Sequence, residues 1–103
     1  MLVITLESVP GKTVEPLGVV KGSMIQTKHL GKDIFAGLKT LVGGELKGYT
    51  EMMSQARDTA MRRMAEHAEQ MGADAVLGVR FTSSAVMQSA AEVMAFGTAV
   101  KLK

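Results

Sequence analysis

The residues from Tyr49 to Met71 form the longest stretch of this 103-residue chain without Gly or Pro. Ala, Met, Glu, Gln and Arg dominate it, and all of them lose little conformational freedom in a helix. At about 100° per residue, apolar and polar side chains separate onto opposite faces. The apolar face contains Met53, Ala56, Ala60, Met64 and Met71, and the polar face contains Glu51, Gln55, Asp58, Arg62, Glu66 and Glu69. The pattern predicts one long amphipathic helix.

The apolar face of this predicted helix is broader than one packing partner requires. Met61, Ala65 and Ala68 extend it to about half of the circumference, whereas a single partner needs a stripe of roughly 100°. We therefore expect two packing surfaces on the helix, one for its own sheet and one for a neighbouring chain.

Arg57 projects from the middle of the apolar face, where an unpaired guanidinium is costly to remove from water. A carboxylate, a carbonyl group or a subunit boundary must therefore receive it. One interpretation is an internal ion pair or a side chain that extends along the apolar surface to solvent. The other is that Arg57 binds a ligand.

The length of 103 residues fits a single domain spanning residues 1–103, with a small hydrophobic core. One Tyr, three Phe and no Trp are present, so Val, Leu, Ile, Ala and Met must supply the core. These residues bury less area than aromatic residues do. Association with further copies of the chain would compensate for this deficit.

Composition also argues against several classes of protein. The absence of Cys removes disulfides and thiolate chemistry and fits a reducing compartment. No segment approaches about 18 consecutive apolar residues, and the N-terminus lacks the basic start of a signal peptide, so we expect a cytoplasmic protein without membrane contact. The net charge of +2 comes from interspersed acids and bases. This pattern does not favour nucleic-acid binding.

Strand patterns flank the predicted helix on both sides. They cover Leu2–Leu6, Leu17–Gln26, a segment from Ala75 to Thr82, and Glu92–Leu102, with turns expected at Val9-Pro10-Gly11 and at Ser83-Ser84. Gly18 or Gly22 should mark a bulge or a close backbone approach. Gly72 should end the long helix.

Alternation gives each of the last two strands a distinct face. In the first of them Ala75, Leu77, Val79 and Phe81 should share one apolar face. In the last, Ala95, Gly97 and Ala99 form a stripe of small residues that lets a helix or a neighbouring chain approach closely.

A second, short helix is predicted from Asp33, a capping residue, through Leu41 and Val42, with Gly43 and Gly44 ending it. The order of elements is then strand, strand, two helices and two or three strands. Local hairpins at both ends of the chain, joined by a helical crossover, indicate an α+β fold. Its small, mostly antiparallel sheet packs against the long helix.

Four segments carry a resemblance to a known family. They are GGELKGYT from Gly43 to Thr50, Ala56-Arg57, GADAVLGVRF from Gly72 to Phe81, and GTAVKL from Gly97 to Leu102. In this order and spacing the chain resembles the YbjQ-like family of small bacterial and archaeal proteins over nearly its whole length. The resemblance implies a dodecin-like subunit and assembly into a homopentameric ring.

The YbjQ-like family carries a heavy-metal-binding label, which the residues of this chain support weakly. Soft metals prefer thiolate, thioether or imidazole ligands. The chain has no Cys, two His (His29 and His67) and nine Met. Met53, Met61, Met64 and Met71 have the spacing of core residues, where Met usually fills gaps. We therefore expect no cofactor, with a metal ion as the alternative that the family label implies.

The sequence leads to two functional hypotheses. The first is a ring-forming homo-oligomer that binds a small ligand or ion at subunit boundaries, with candidate binding residues Gly43, Gly44, Glu45, Tyr49, Arg57 and Arg80. Amides of the Gly pair before a helix start could hold an anion. The second is a structural or protein-interaction module without a small ligand. An enzyme is disfavoured because no Ser lies in a nucleophile-elbow pattern and no acid-base set is recognisable.

Overall fold

The predicted central helix is present and starts two residues earlier than the sequence indicated. The computed structural model describes residues 1–27, 41–42, 45–87 and 90–103. In chain order the elements are β1 (Leu2–Val3), β2 (Val14–Thr27), β3 (Leu41–Val42), β4 (Glu45–Leu46), α1 (Lys47–Gln70), β5 (Ala75–Met87) and β6 (Ala90–Leu102). Among these residues no helix is both apolar enough and long enough to cross a membrane.

Helix α1 ends where Gly72 was expected to stop it. Gly72 adopts a φ of 78°, which is unstrained only for a residue without Cβ. Its amide donates to the Glu69 carbonyl at 2.9 Å, and the Ala73 amide donates to the Ala68 carbonyl at 3.1 Å. These two bonds form a Schellman motif, which satisfies carbonyl groups that the helix leaves open and turns the chain into β5.

The main sheet has the order β1-β5-β6-β2, and α1 packs on one of its faces. Strand β6 pairs antiparallel with both β5 and β2, so the α+β class and the largely antiparallel sheet are confirmed. The predicted N-terminal hairpin is wrong. Strand β1 pairs in parallel with β5, through Leu2 opposite Ala75 and Val3 opposite Val76. Strand β2 instead pairs with β6 from Val14 to Thr27.

Both glycines singled out in the second strand have the expected roles. The β2–β6 register shifts between Pro16 and Gly18, and Gly18 has a φ of 142°, so the bulge lies there. Gly22 is the point of close approach, because a Cβ at this position would overlap the Met64 amide nitrogen and the Ala60 carbonyl oxygen. The backbone of β2 therefore lies directly against the backbone of α1.

Two boundary predictions are corrected by the strand pairing. Ser83 and Ser84 lie inside β5, opposite Val93 and Glu92, and do not form a turn. The predicted short helix falls at residues 33–40 outside the described residues. Its last two residues, Leu41 and Val42, belong to β3, which pairs antiparallel with β4.

A second bulge changes which side chains of β5 face the helix. Leu77 lies opposite Thr98 and Arg80 lies opposite Phe96, so Gly78 and Val79 together oppose a single residue of β6. The single apolar face predicted for β5 is therefore wrong. Ala75 and Leu77 pack on the face away from α1, whereas Val79 packs on the helix side. One extra residue reverses the alternation of the residues that follow it, up to the next register shift between Ala85 and Met87.

Two hydrophobic clusters lie on opposite faces of the sheet. The helix-side cluster contains Val20, Ala56, Ala60, Met64, Ala68, Val76, Val79, Val93, Ala95 and Ala99. Ala95 and Ala99 of β6 therefore face the helix, which is one of the two partners expected for the stripe of small residues. The second cluster contains Ala75, Leu77 and Val100, with Ile4, Val9, Val14 and Leu102 around them. The N-terminal segment thus covers one end of the sheet face opposite α1.

The helix-side cluster also corrects the expected second face of α1. Ala68 is completely buried in the core of its own chain and is not available to a neighbour. Met61 is partly buried against the same core, and Ala65 is half-buried. The helix surface left for a second partner is therefore narrower than the sequence indicated.

We predict that Gly22→Ala destabilises the protein by about 3 kcal/mol, the upper end of the usual cost of overpacking. The added methyl group meets backbone atoms of α1, which cannot rotate away as a side chain can. Urea unfolding measures the change. Ser23→Ala on the same strand is the control, and should change the free energy of unfolding by no more than about 0.5 kcal/mol. Equal stability of both variants would contradict the close approach.

Candidate functional site

A groove lies between the first half of α1 and strands β5 and β6. Its volume is about 110 Å³, and its lining consists of Met53, Arg57, Phe81, Thr82, Ser83 and Val93. Three elements, α1, β5 and β6, therefore contribute to it. Met53 packs against the helix-side core, and Val93 is buried in it, so the apolar side of the groove continues into the core.

Arg57 is exposed in this groove, although its helix position places it between buried neighbours. Ala56 and Ala60 are completely buried against the sheet. Within the described residues, the Arg57 guanidinium makes no hydrogen bond and no ion pair. The interpretation of Arg57 as half of an internal ion pair therefore finds no support in this part of the chain.

The groove combines a cation with a hydroxyl group and apolar surface. A guanidinium offers several N–H donors in a planar arrangement that matches a carboxylate or phosphate group. Ser83, which lies opposite the buried Val93 on the helix side of the sheet, adds a hydroxyl donor, while Met53 and Phe81 offer apolar contact. Phe81 is 45% exposed, so part of its ring is accessible to a ligand. This set of groups suits a small anion with an apolar part.

Of the other five sequence-predicted candidates, Arg80 is the one whose side-chain contacts the described part of the structure shows. Gly43 and Gly44 lie outside the described residues. Glu45 belongs to β4 and Tyr49 to the first turn of α1. Arg80 donates from its Nη1 to the carbonyl of Thr5 at 3.2 Å and to that of Val79 at 2.8 Å, and so ties the N-terminal segment to β5.

Sequence reasoning missed Phe81, Thr82 and Ser83 as groove residues. Ser83 and Ser84 are favourable turn residues, and for that reason the sequence predicts a turn there. The signal that could have placed them is the uninterrupted run from Ala75 to Met87, which contains neither Pro nor any Gly after Gly78. Such a run is compatible with one long strand.

Several other charged groups of the described chain have partners. Glu15 and Lys103 form an ion pair of 2.8 Å, and the ammonium group hydrogen-bonded to Glu15 lowers the pKa of that carboxyl. Arg63 donates to the Ser23 carbonyl at 2.7 Å. Asp74 accepts from the Leu102 amide at 2.9 Å. These contacts hold the edge of β2 and the ends of the sheet. Arg57 differs from these groups because its guanidinium has no such partner within the described residues.

The described residues do not fit a heavy-metal site. Among them no group of three or more His, Cys, Asp or Glu side chains is placed to hold a metal ion. The Nδ1 of His67 accepts a hydrogen bond from the Lys21 amide at 3.4 Å, and His29 lies outside the described residues. Met64 is completely buried, and Met53 and Met61 pack against the core. Their thioethers therefore serve packing.

Comparisons with known proteins cover the full length of the chain. A family model described as "Putative heavy-metal-binding" matches residues 1–103. UPF0145 proteins of Colwellia psychrerythraea and Fervidobacterium nodosum are 58% and 59% identical to this chain. Both alignments cover 100% of this chain, and they cover 99% of the Colwellia protein and 96% of the Fervidobacterium protein.

A solved structure supports the fold. The crystal structure of a protein from Pediococcus pentosaceus, described as of unknown function and of the DUF74 family, aligns with a TM-score of 0.72. The alignment covers 100% of this chain and 98% of that protein, at 18% identity. At this identity the likeness concerns the fold alone.

We predict that Arg80→Ala loosens the N-terminal segment without unfolding the sheet. The variant loses the bonds to the Thr5 and Val79 carbonyls, and hydrogen bonds to charged groups contribute about 1.5–3 kcal/mol each. The amides of Gly78 and Val79, which donate to Leu6 and Ile4, should exchange with solvent roughly tenfold faster or more. Hydrogen exchange followed by NMR measures this change.

Arg62→Ala is the matched control for this prediction. Arg62 is exposed and lies 3.8 Å from Glu66 on the same helix, so its loss should leave the exchange of both amides unchanged. Unchanged exchange in Arg80→Ala would show that Arg80 is not the tie between the N-terminal segment and β5.

Proposed function

The chain belongs to the YbjQ-like family, and we propose that it is a cytoplasmic, ring-forming homo-oligomer that binds a small anionic ligand at the boundary between subunits. The observation that carries this proposal is the exposed guanidinium of Arg57 in the groove beside Ser83. A pentamer is the assembly that we expect. The proposed role is binding and does not include catalysis.

The composition of the core supports assembly. Half of the buried apolar residues in the described part of the chain are alanine, which contributes little area. The radius of gyration is 16.7 Å, whereas a compact domain of about 100 residues has a value near 13 Å. An elongated subunit with a thin core leaves apolar surface that a second copy can cover.

The edges of the sheet also support assembly. Strand β1 pairs with Ala75 and Val76 only, so the later part of β5 has β6 as its one strand partner among the described residues. Val86 and Met87 are exposed on this part of β5, and Val19 and Ile25 are exposed on β2. Open edges with apolar side chains are sites of chain-to-chain pairing.

The position of the groove favours a ligand at a subunit boundary. Phe81 lines the groove and belongs to the part of β5 that lacks a second strand partner in the described chain. A neighbouring copy on this edge would lie beside the groove and add a further wall to it. Its volume of about 110 Å³ is small for a ligand pocket of one subunit, and a second chain would enlarge the enclosed space.

The alternative is a structural or protein-interaction module that uses the same apolar surfaces. It is favoured by the exposed side chains of Val19 and Ile25, which no small ligand explains. Stable co-purification of one protein from lysate, together with no response to the anions described below, would support this alternative.

We predict a native mass spectrum dominated by a species of five times the subunit mass of 10.9 kDa. Val86→Lys places a charge on the open edge of β5 and should shift the population toward smaller species. In the separate subunit Val86 is already 48% exposed, so the variant should still fold. Arg62→Ala is the control, and the number of subunits in its main species should be the same as in the wild type. A monomeric wild-type protein would contradict the proposed ring.

We predict that small carboxylates or oxyanions raise the melting temperature of the wild-type protein and not that of Arg57→Ala. A ligand at one hundred times its dissociation constant stabilises by about 2.7 kcal/mol. Arg57→Lys keeps the charge but loses the planar donor pair, and should bind more weakly than the wild type. Arg62→Ala should respond as the wild type does.

Metal ions form a separate arm of the same thermal-shift panel. Stabilisation by a soft metal ion with no response to any anion would overturn the proposed ligand class. An equal response of wild type and Arg57→Ala to the anions would remove Arg57 from the site.

A further inference from the structure

A larger cavity lies on the opposite face of the sheet, away from α1 and from the Arg57 groove. Its volume is about 370 Å³, which falls within the range of small-molecule pockets. Leu77, Thr98 and Val100 line it from the central strands, and Glu7 and Val14 line it from the N-terminal part of the chain. None of the residues predicted from the sequence as binding residues contributes to it.

The walls of this cavity are held by backbone hydrogen bonds. The Gly78 amide donates to the Leu6 carbonyl at 2.8 Å, directly beside Glu7, and the Val79 amide donates to the Ile4 carbonyl at 3.1 Å. At the other end, Thr13 and Lys103 exchange two bonds of 2.9 Å. The N-terminal segment is thereby anchored at both ends of its path over the sheet, and the cavity is formed before any ligand binds.

The bulge in β5 leaves space for an occupant. Gly78 lines the cavity with a φ of 62°, and a Cβ at this position would meet no atom within 4 Å. The floor is formed by the apolar residues Leu77 and Val100, which are 3% and 1% exposed and are packed with Ala75. The cavity therefore offers a buried apolar floor and an accessible polar rim.

The polar groups of the cavity are the carboxylate of Glu7 and the hydroxyl of Thr98. Within the described residues, Glu7 makes neither an ion pair nor a hydrogen bond. Glu15, close by in sequence, pairs with Lys103 instead. A carboxylate without a partner cation, in a cavity of this volume with an apolar floor, is complementary to a ligand that carries both a positive charge and an apolar body.

We propose that the cavity between the N-terminal segment and the β5–β6 face binds a small amine, with Glu7 receiving the ammonium group and Leu77 and Val100 contacting the apolar body. Thr98 accepts a further hydrogen bond from the amine. This site is independent of the Arg57 groove. It differs from the groove in the sign of the charge that it recognises.

The test uses three probes of the same shape: phenethylamine, the neutral phenethyl alcohol and the anionic phenylacetate. Each is titrated into the isotope-labelled full-length protein and followed by NMR. Phenethylamine should shift the amides of Gly78 and Thr98 in a saturable manner, and should bind at least tenfold more tightly than the alcohol. Phenylacetate should not shift these two amides.

Glu7→Gln should weaken phenethylamine binding by about 10-fold to 100-fold, the range expected for one charge-assisted hydrogen bond, and bring it to the level of the alcohol. Glu15→Gln removes the same charge from a neighbouring position outside the cavity lining, and Arg57→Ala alters only the other groove. Both should bind phenethylamine as the wild type does. Equal affinity for amine and alcohol, an unchanged affinity in Glu7→Gln, or no saturable shift of Gly78 and Thr98 would each overturn the proposal.

Discussion

The close approach of α1 to the sheet at Gly22 is the constraint on which the rest of this structure depends. A side chain at this position would overlap the backbone of α1 at Ala60 and Met64. The same approach needs small residues on the facing surfaces, and Ala56 and Ala95 supply them. Small residues pack closely but bury little area. The subunit therefore combines a dense contact with a thin core, and exposes apolar side chains at its open strand edges.

Local features of this fold could be read from the sequence, while the pairing of distant strands could not. The helix, its end at Gly72 and the roles of Gly18 and Gly22 depend on periodicity and on backbone freedom, both of which are visible in a short window. The position of β1 depends on competition between strands. Strand β6 offers β2 a long antiparallel ladder, and the two residues of β1 are left to pair with β5. No local pattern encodes that outcome.

One residue of the candidate site, Arg57, could be predicted from the sequence, whereas the residues that surround it could not. Arg57 was identifiable because a guanidinium in the middle of an apolar helix face requires an explanation. The residues of β5 that line its groove could not be identified from the sequence, since two adjacent Ser residues suit a turn as well as a strand. The cavity beside Glu7 forms because the N-terminal segment folds back over the sheet. The spacing of residues in the sequence does not predict this path of the chain. Each miss comes from contacts between segments far apart in sequence.

The bulge at Gly78 and Val79 gives β5 its two different surfaces. Before the bulge Val76 faces α1, so without the extra residue Gly78 and Arg80 would share that face. A second guanidinium would then lie on the side of the sheet that carries Arg57, where like charges repel. With the bulge, Val79 faces the core, Phe81 and Ser83 line the Arg57 groove, and Arg80 bonds to the Thr5 carbonyl. The same residue insertion opens space at Gly78 on the other face. One backbone irregularity thus separates a cationic groove from an acidic cavity across a single sheet.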